Sequence, residues 1–125
     1  MAGFEHLLNS YDVRDMLDEI ASADPPAYLR RCFAEAISTP ALSPTRVQQL
    51  AVCGMVLDAV LNDRDYAELE PELIGDWRAH YAADCARMKD TAVAALRRAH
   101  EHFPPAETGA AVELRELEHR LAPGA

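Results

Sequence analysis

A chain of 125 residues that is 50% hydrophobic can bury one apolar core without disulfides or a metal to staple it. Twelve Lys and Arg against twenty-one Asp and Glu leave a net charge of −9, a surface that repels phosphate backbones and anionic lipid headgroups and suits a basic protein partner. Cys32, Cys53 and Cys85 are odd in number and lie far apart inside apolar helical patterns, so they read as buried thiols of a reducing cytosol.

Met1 to Ser10 lacks the basic start and apolar run of an export signal, and no stretch has the length of a membrane span, so the expected location is cytoplasmic. Phe4, Leu7, Leu8 and Tyr11 form one short helical face; Val13, Met16, Leu17 and Ile20 form a second, out of phase with it. The slip at Asn9 and Ser10 predicts a short first helix and another over about 12–22. Asp24 before Pro25 is a stronger start, since an aspartate can accept orphan amide protons and proline tolerates the first helical position. The helix should run to about Ser38 with Tyr28, Leu29, Cys32, Phe33, Ala36 and Ile37 inward.

Ser43 before Pro44 repeats this start after the break at 39–42. Nearly every residue from Val47 to Leu61 is apolar, which predicts a central helix over about 44–61. Gly54 in its middle lowers helix stability, by about 1 kcal/mol relative to Ala, and so marks close approach of another helix. Trp77, Tyr81, Cys85, Met88, Ala92, Leu96, Ala99 and Phe103 recur at steps of three and four, predicting one long helix over about 71–103 that ends at Pro104 and Pro105. Trp77, Met88 and Ala99 lie eleven apart, a period that keeps the stripe nearly straight. A final helix over about 110–121 turns Val112, Leu114, Leu117 and Leu121 inward. No segment alternates like a strand, so the expected fold is all-α: a single domain over 1–125, a bundle of five or six helices.

From Asp58 to Asp76 the chain carries Asp58, Asp63, Asp65, Glu68, Glu70, Glu72 and Asp76 against Arg64 alone, which is two-thirds of the net charge. Such a segment is either a docking surface for a cationic partner or a solvated loop leading into a helix N-terminus that favours acids. A calcium loop fails on detail, with Glu68 at the obligatory glycine and Ile74 at the closing glutamate. His80 and Asp84, four apart beside Trp77 and Tyr81, are either a base and its orienter in an aromatic pocket or an ordinary helical hydrogen bond, with an Asp84–Arg87 ion pair one turn on. Asp58 is the only charge in an apolar run; if buried it needs a partner such as an arginine and becomes a site candidate. Glu116 and His119 form a single Glu-x-x-His where di-iron bundles use two, and His100 and His102 point to different faces, so no metal is expected. No nucleophile elbow, phosphate loop or paired catalytic carboxylates occur; no catalytic residue and no cofactor are assigned.

Tyr11 to Ile20 resembles the aspartate-rich first helix of a group of small acidic all-helical bacterial domains of unknown function. Gln49 to Leu57 is similar to their Ala-rich central helix, and Thr91 to Ala99 to the alanine-leucine run that follows; the W-G-x-G opening of that group is absent here. The resemblance implies an all-α fold and supplies no activity. An abundance of Ala and of Arg over Lys is associated with high-GC bacterial genomes.

Two functions follow as expectations. The first is a cytosolic protein that binds another protein through Asp63, Asp65, Glu68, Glu70, Glu72 and Asp76, in the manner of immunity proteins, antitoxins or accessory subunits. The alternative is an enzyme or small-ligand binder using Trp77, His80, Tyr81 and Asp84, with Asp58 nearby. Residues 77–103 carry five basic and three acidic groups, so Arg87, Lys89, Arg97 and Arg98 could also face the acidic segment of a second copy as a homodimer.

Overall fold

Among the described residues three of six helices open on proline, whose fixed φ suits the first helical position and whose missing N–H would find no partner there anyway. The computed structural model describes residues 13–39, 43–62, 66, 69–101 and 109–121. Its helices are α1 Val13–Ser22, α2 Pro25–Ser38, α3 Pro44–Asn62, α4 Pro71–Arg87, α5 Lys89–Glu101 and α6 Gly109–Leu121, and the described residues contain no strand. None of these helices is long and apolar enough to cross a membrane. The short helix expected before residue 12, together with Phe103 and Val112, lies outside the residues whose side chains are described.

The all-α bundle read from periodicity is the fold observed. Every residue of α3 from Leu50 to Val60 is buried, and α2, α4, α5 and α6 all pack against it. One apolar cluster joins Met16, Leu17 and Ile20 of α1 to Leu29 and Phe33 of α2, the α3 rod, Trp77 of α4, Leu96 of α5 and Leu117 of α6. Gly54 sits where α5 and α6 approach: a Cβ built there would lie 2.7 Å from Leu117 Cδ2 and 3.3 Å from Leu96 Cδ1. The approach inferred from the sequence is thus made by two leucines of neighbouring helices.

Three local expectations change. The 71–103 segment is two helices, because Met88 leaves the helical region at φ −96° and ψ 5°. Its N–H donates to Cys85 O three residues back at 3.2 Å, and the ladder resumes with Ala92 N–H donating to Met88 O at 2.9 Å. No proline or glycine forces this. The two halves have different neighbours, α4 lying on α3 while α5 lies on α2 and α6, and tertiary packing overrides a locally helical sequence. The apolar stripe still crosses the joint, with Trp77, Cys85, Met88, Ala92, Leu96 and Ala99 buried and Tyr81 half-buried.

Asp24 makes no side-chain cap bond to α2. Pro25 and Pro26 leave no N–H at the first two positions, so one of the amides an N-cap side chain would serve does not exist. Ser43 does cap α3, its Oγ accepting from Arg46 N–H at 3.1 Å. Ile37, expected inward, is 42% exposed in the last turn of α2, where it is rotated past the buried line of Leu29, Phe33 and Ala36.

Two arginines close the helix ends that carbonyls leave open. Arg78 of α4 donates from Nη2 to Ala59 O at 2.7 Å and from Nε to Val60 O at 3.3 Å, both in the last turn of α3. Arg98 of α5 donates from Nε to Ala36 O at 3.0 Å and from Nη2 to Thr39 O, at the end of α2. Each places a cation at a helix C-terminus, where the macrodipole and the unpaired carbonyls favour it.

Candidate functional site

The acidic surface expected from one segment is shared by two helices. α1 lies alongside the start of α4, so that Arg14, Leu17 and Asp18 line one small cleft with Glu70 and Leu73. Arg14 Nη2 reaches Glu70 Oε1 at 3.9 Å, with both side chains mostly exposed, and this pair contributes little stability in water. Glu70 precedes the first turn of α4, Glu72 lies within it and Asp76 follows one turn later, all exposed. Asp15 and Asp18 add exposed carboxylates from α1 that composition of the 58–76 segment alone did not reveal. Asp63, Asp65 and Glu68 lie outside the described residues.

Asp58 is not part of this surface. It is fully buried, and its carboxylate accepts from Tyr66 Oη at 2.5 Å and from Asn62 Nδ2 at 2.6 Å. Arg120 of α6 stands behind Tyr66, donating from Nη1 to the phenol oxygen at 2.9 Å and from Nη2 to Glu116 Oε1 at 2.7 Å. Asn62 Nδ2 also donates to Arg120 O at 3.3 Å. The arginine that a buried aspartate was expected to need is therefore present, one hydroxyl away. Burial first, then the bond to Asp58 and its charge, hold the Tyr66 proton well above the ordinary phenol range. Burial pulls the Arg120 pKa down, but the Tyr66 hydroxyl and the charges around it outweigh this and the net shift is upward. This chain of groups ties the end of α3 to α6 and anchors the connection to α4, where Tyr66 and Leu69 are both buried.

The residues of the alternative pocket diverge. Trp77 is 4% exposed within the core, whereas His80 projects into solvent. His80 Nδ1 lies 2.9 Å from Asp76 O and 3.3 Å from Asp76 Oδ1, so its carboxylate neighbour is one turn back, not Asp84. Asp84 pairs with Arg87, as the spacing suggested. Tyr81 is half-buried, its ring 6.1 Å from that of His80. A base oriented by Asp84 inside an aromatic pocket is not what these positions form.

Three of the four cations offered to a second copy are engaged within the chain: Arg87 with Asp84, Arg97 with Glu118 at 3.1 Å, and Arg98 with the end of α2. Among the described residues no three His, Cys, Asp or Glu side chains group as a metal site. Scans of the chain against protein-family models, curated proteins and solved structures find no match.

Proposed function

We propose that this chain is a small acidic binding protein that docks on a basic protein surface, in the manner of an immunity protein, antitoxin or accessory subunit. The observation that carries this reading is the meeting of α1 and α4, which brings Asp18 and Glu70 into one cleft with Glu72 and Asp76 continuing along α4. Carboxylates carried on two helices that border one cleft present their charge without the ordering cost that a loose acidic loop would carry. Their field steers a cationic partner and disfavours acidic competitors. The proposed setting is a bacterial cytosol, supported by three free thiols.

The test is capture from a native lysate by the full chain and by its D18N/E70Q/E72Q/D76N variant. A basic protein retained at about 0.05 M salt, released near 1 M where the screening length is about 3 Å, and lost with the variant is the expected result. Capture that ignores both salt and the four substitutions, or no capture at all, refutes it.

A further inference from the structure

A cavity of about 350 Å³ opens among α1, α2 and α3, lined by Glu19 of α1, by Tyr28, Arg31 and Glu35 of α2, and by Arg46 and Gln49 of α3. It shares no residue with the acidic cleft of Asp18 and Glu70. Its charges cancel, Glu19 and Glu35 against Arg31 and Arg46, in a chain whose net charge is −9. Such a cavity gives a bare anion or a bare cation one favourable neighbour and one unfavourable one.

The charged side chains are not engaged alike. Arg46 Nη1 donates to Glu35 Oε1 at 2.9 Å, so these two neutralise each other within the wall. Glu19 Oε1 accepts from Tyr28 Oη at 3.0 Å, a neutral donor, while the Arg31 guanidinium lies 5.4 Å from the centroid of the same ring. Among the described residues Glu19 and Arg31 have no ion-pair partner, and the Gln49 carboxamide has no hydrogen bond. Burial and then the bond to Glu19 hold the Tyr28 proton above the ordinary phenol range, so the phenol remains a donor and keeps the carboxylate in place. One phenol thus holds an anion at its oxygen and a cation against its ring, without the two meeting.

We propose that this cavity binds a free α-amino acid with an uncharged polar side chain, its carboxylate on Arg31, its ammonium on Glu19 and its side chain toward Gln49. An α-amino acid carries both charges on one short frame, so it bridges a carboxylate and a guanidinium that do not reach each other. The guanidinium presents parallel N–H groups that match a carboxylate. Glu19 keeps acceptor positions beyond the one that Tyr28 uses, and the Gln49 carboxamide both donates and accepts. A charged ligand side chain finds Glu35 and Arg46 already paired with each other. The Tyr28 contacts order Glu19 and Arg31 in advance, which lowers the cost of binding.

Glu19 and Arg31 are exposed, so replacing them leaves the core intact. The full chain is titrated by calorimetry with L-glutamine and L-serine, and with two relatives of glutamine: glutaramate, which lacks the ammonium, and 4-aminobutanamide, which lacks the carboxylate. Saturable binding of at least one amino acid is expected with a Kd of about 1 mM or tighter, and of both glutamine relatives at least about tenfold more weakly than L-glutamine. Glu19→Gln, which retains an acceptor for Tyr28, and Arg31→Gln should each weaken amino-acid binding at least about tenfold with an unchanged urea midpoint. The proposal is overturned if neither amino acid binds up to about 20 mM. It is equally overturned by a relative lacking one charge that binds as tightly as L-glutamine, or by binding that both substitutions leave unchanged.

Discussion

Replacing Gly54 with Ala sets two opposed effects against each other, and their balance reports how closely α3 is approached. Alanine favours a helix interior by about 1 kcal/mol over glycine, so on propensity alone the substitution stabilises. The new Cβ, however, lies 2.7 Å from Leu117 Cδ2 and 3.3 Å from both Leu117 Cγ and Leu96 Cδ1, with both leucines fully buried. Ordinary contact begins near 3.4 Å, so the Leu117 methyl must retreat by about 0.7 Å into a filled core, and such overpacking costs about 1–3 kcal/mol. The expected net is a loss of about 0–2 kcal/mol, or up to several degrees in Tm for a domain of this size. Urea unfolding of Gly54→Ala, Leu117→Ala and the double variant separates the effects. Leu117→Ala alone should cost about 2–5 kcal/mol by leaving a cavity. In that background the added methyl has room, and Gly54→Ala should turn stabilising by about 1 kcal/mol. A stabilising Gly54→Ala in the wild-type chain, with no coupling to Leu117, would refute the close approach of α6 to α3.

Tyr66→Phe removes both the donor to Asp58 and the acceptor of Arg120, and should lower stability by about 1–3 kcal/mol in chemical denaturation. The native fold holds the Tyr66 proton where an unfolded chain releases it near pH 10, so the native state binds more protons above that pH. The Tyr66 contribution is therefore complete below pH 10 and is lost as pH rises beyond it, giving an alkaline fall in Tm that is shallower in Tyr66→Phe. Arg78→Lys keeps the charge at the end of α3 but serves one carbonyl where two are served now, and should cost about 1 kcal/mol in thermal unfolding. Trp77 fluorescence should be blue-shifted and resistant to iodide quenching until the chain unfolds, because the indole is 4% exposed.

Helix starts and the central position of α3 were legible because both are local. Cap-then-proline pairs at Asp24–Pro25 and Ser43–Pro44 mark helix boundaries, and a run without a polar face leaves α3 only the middle of a bundle. The joint at Met88 was not legible, since residues on both sides keep good helical periodicity and the cause is a change of neighbours from α3 to α2 and α6. Asp58 was recognisable as an anomaly, yet its partners are drawn from α6 and from Tyr66 in a stretch that reads as a solvated acidic linker. The acidic site was half visible: Glu70, Glu72 and Asp76 stand out in one segment, while the contribution of Asp18 depends on α1 lying beside α4.

The preference of this chain for arginine over lysine acquires a mechanical meaning at Arg78 and Arg98. A guanidinium is a flat fork with several N–H directions, so one side chain can grip two carbonyl oxygens, where an ammonium at the same site has a single nitrogen to aim. Each half of the broken rod contributes one such clasp, α4 fastening the tail of α3 and α5 fastening the tail of α2. The joint at Met88 thus comes with its own stitching: the segment on either side of it is sewn to the helix beneath, and the break is held in place from outside the backbone.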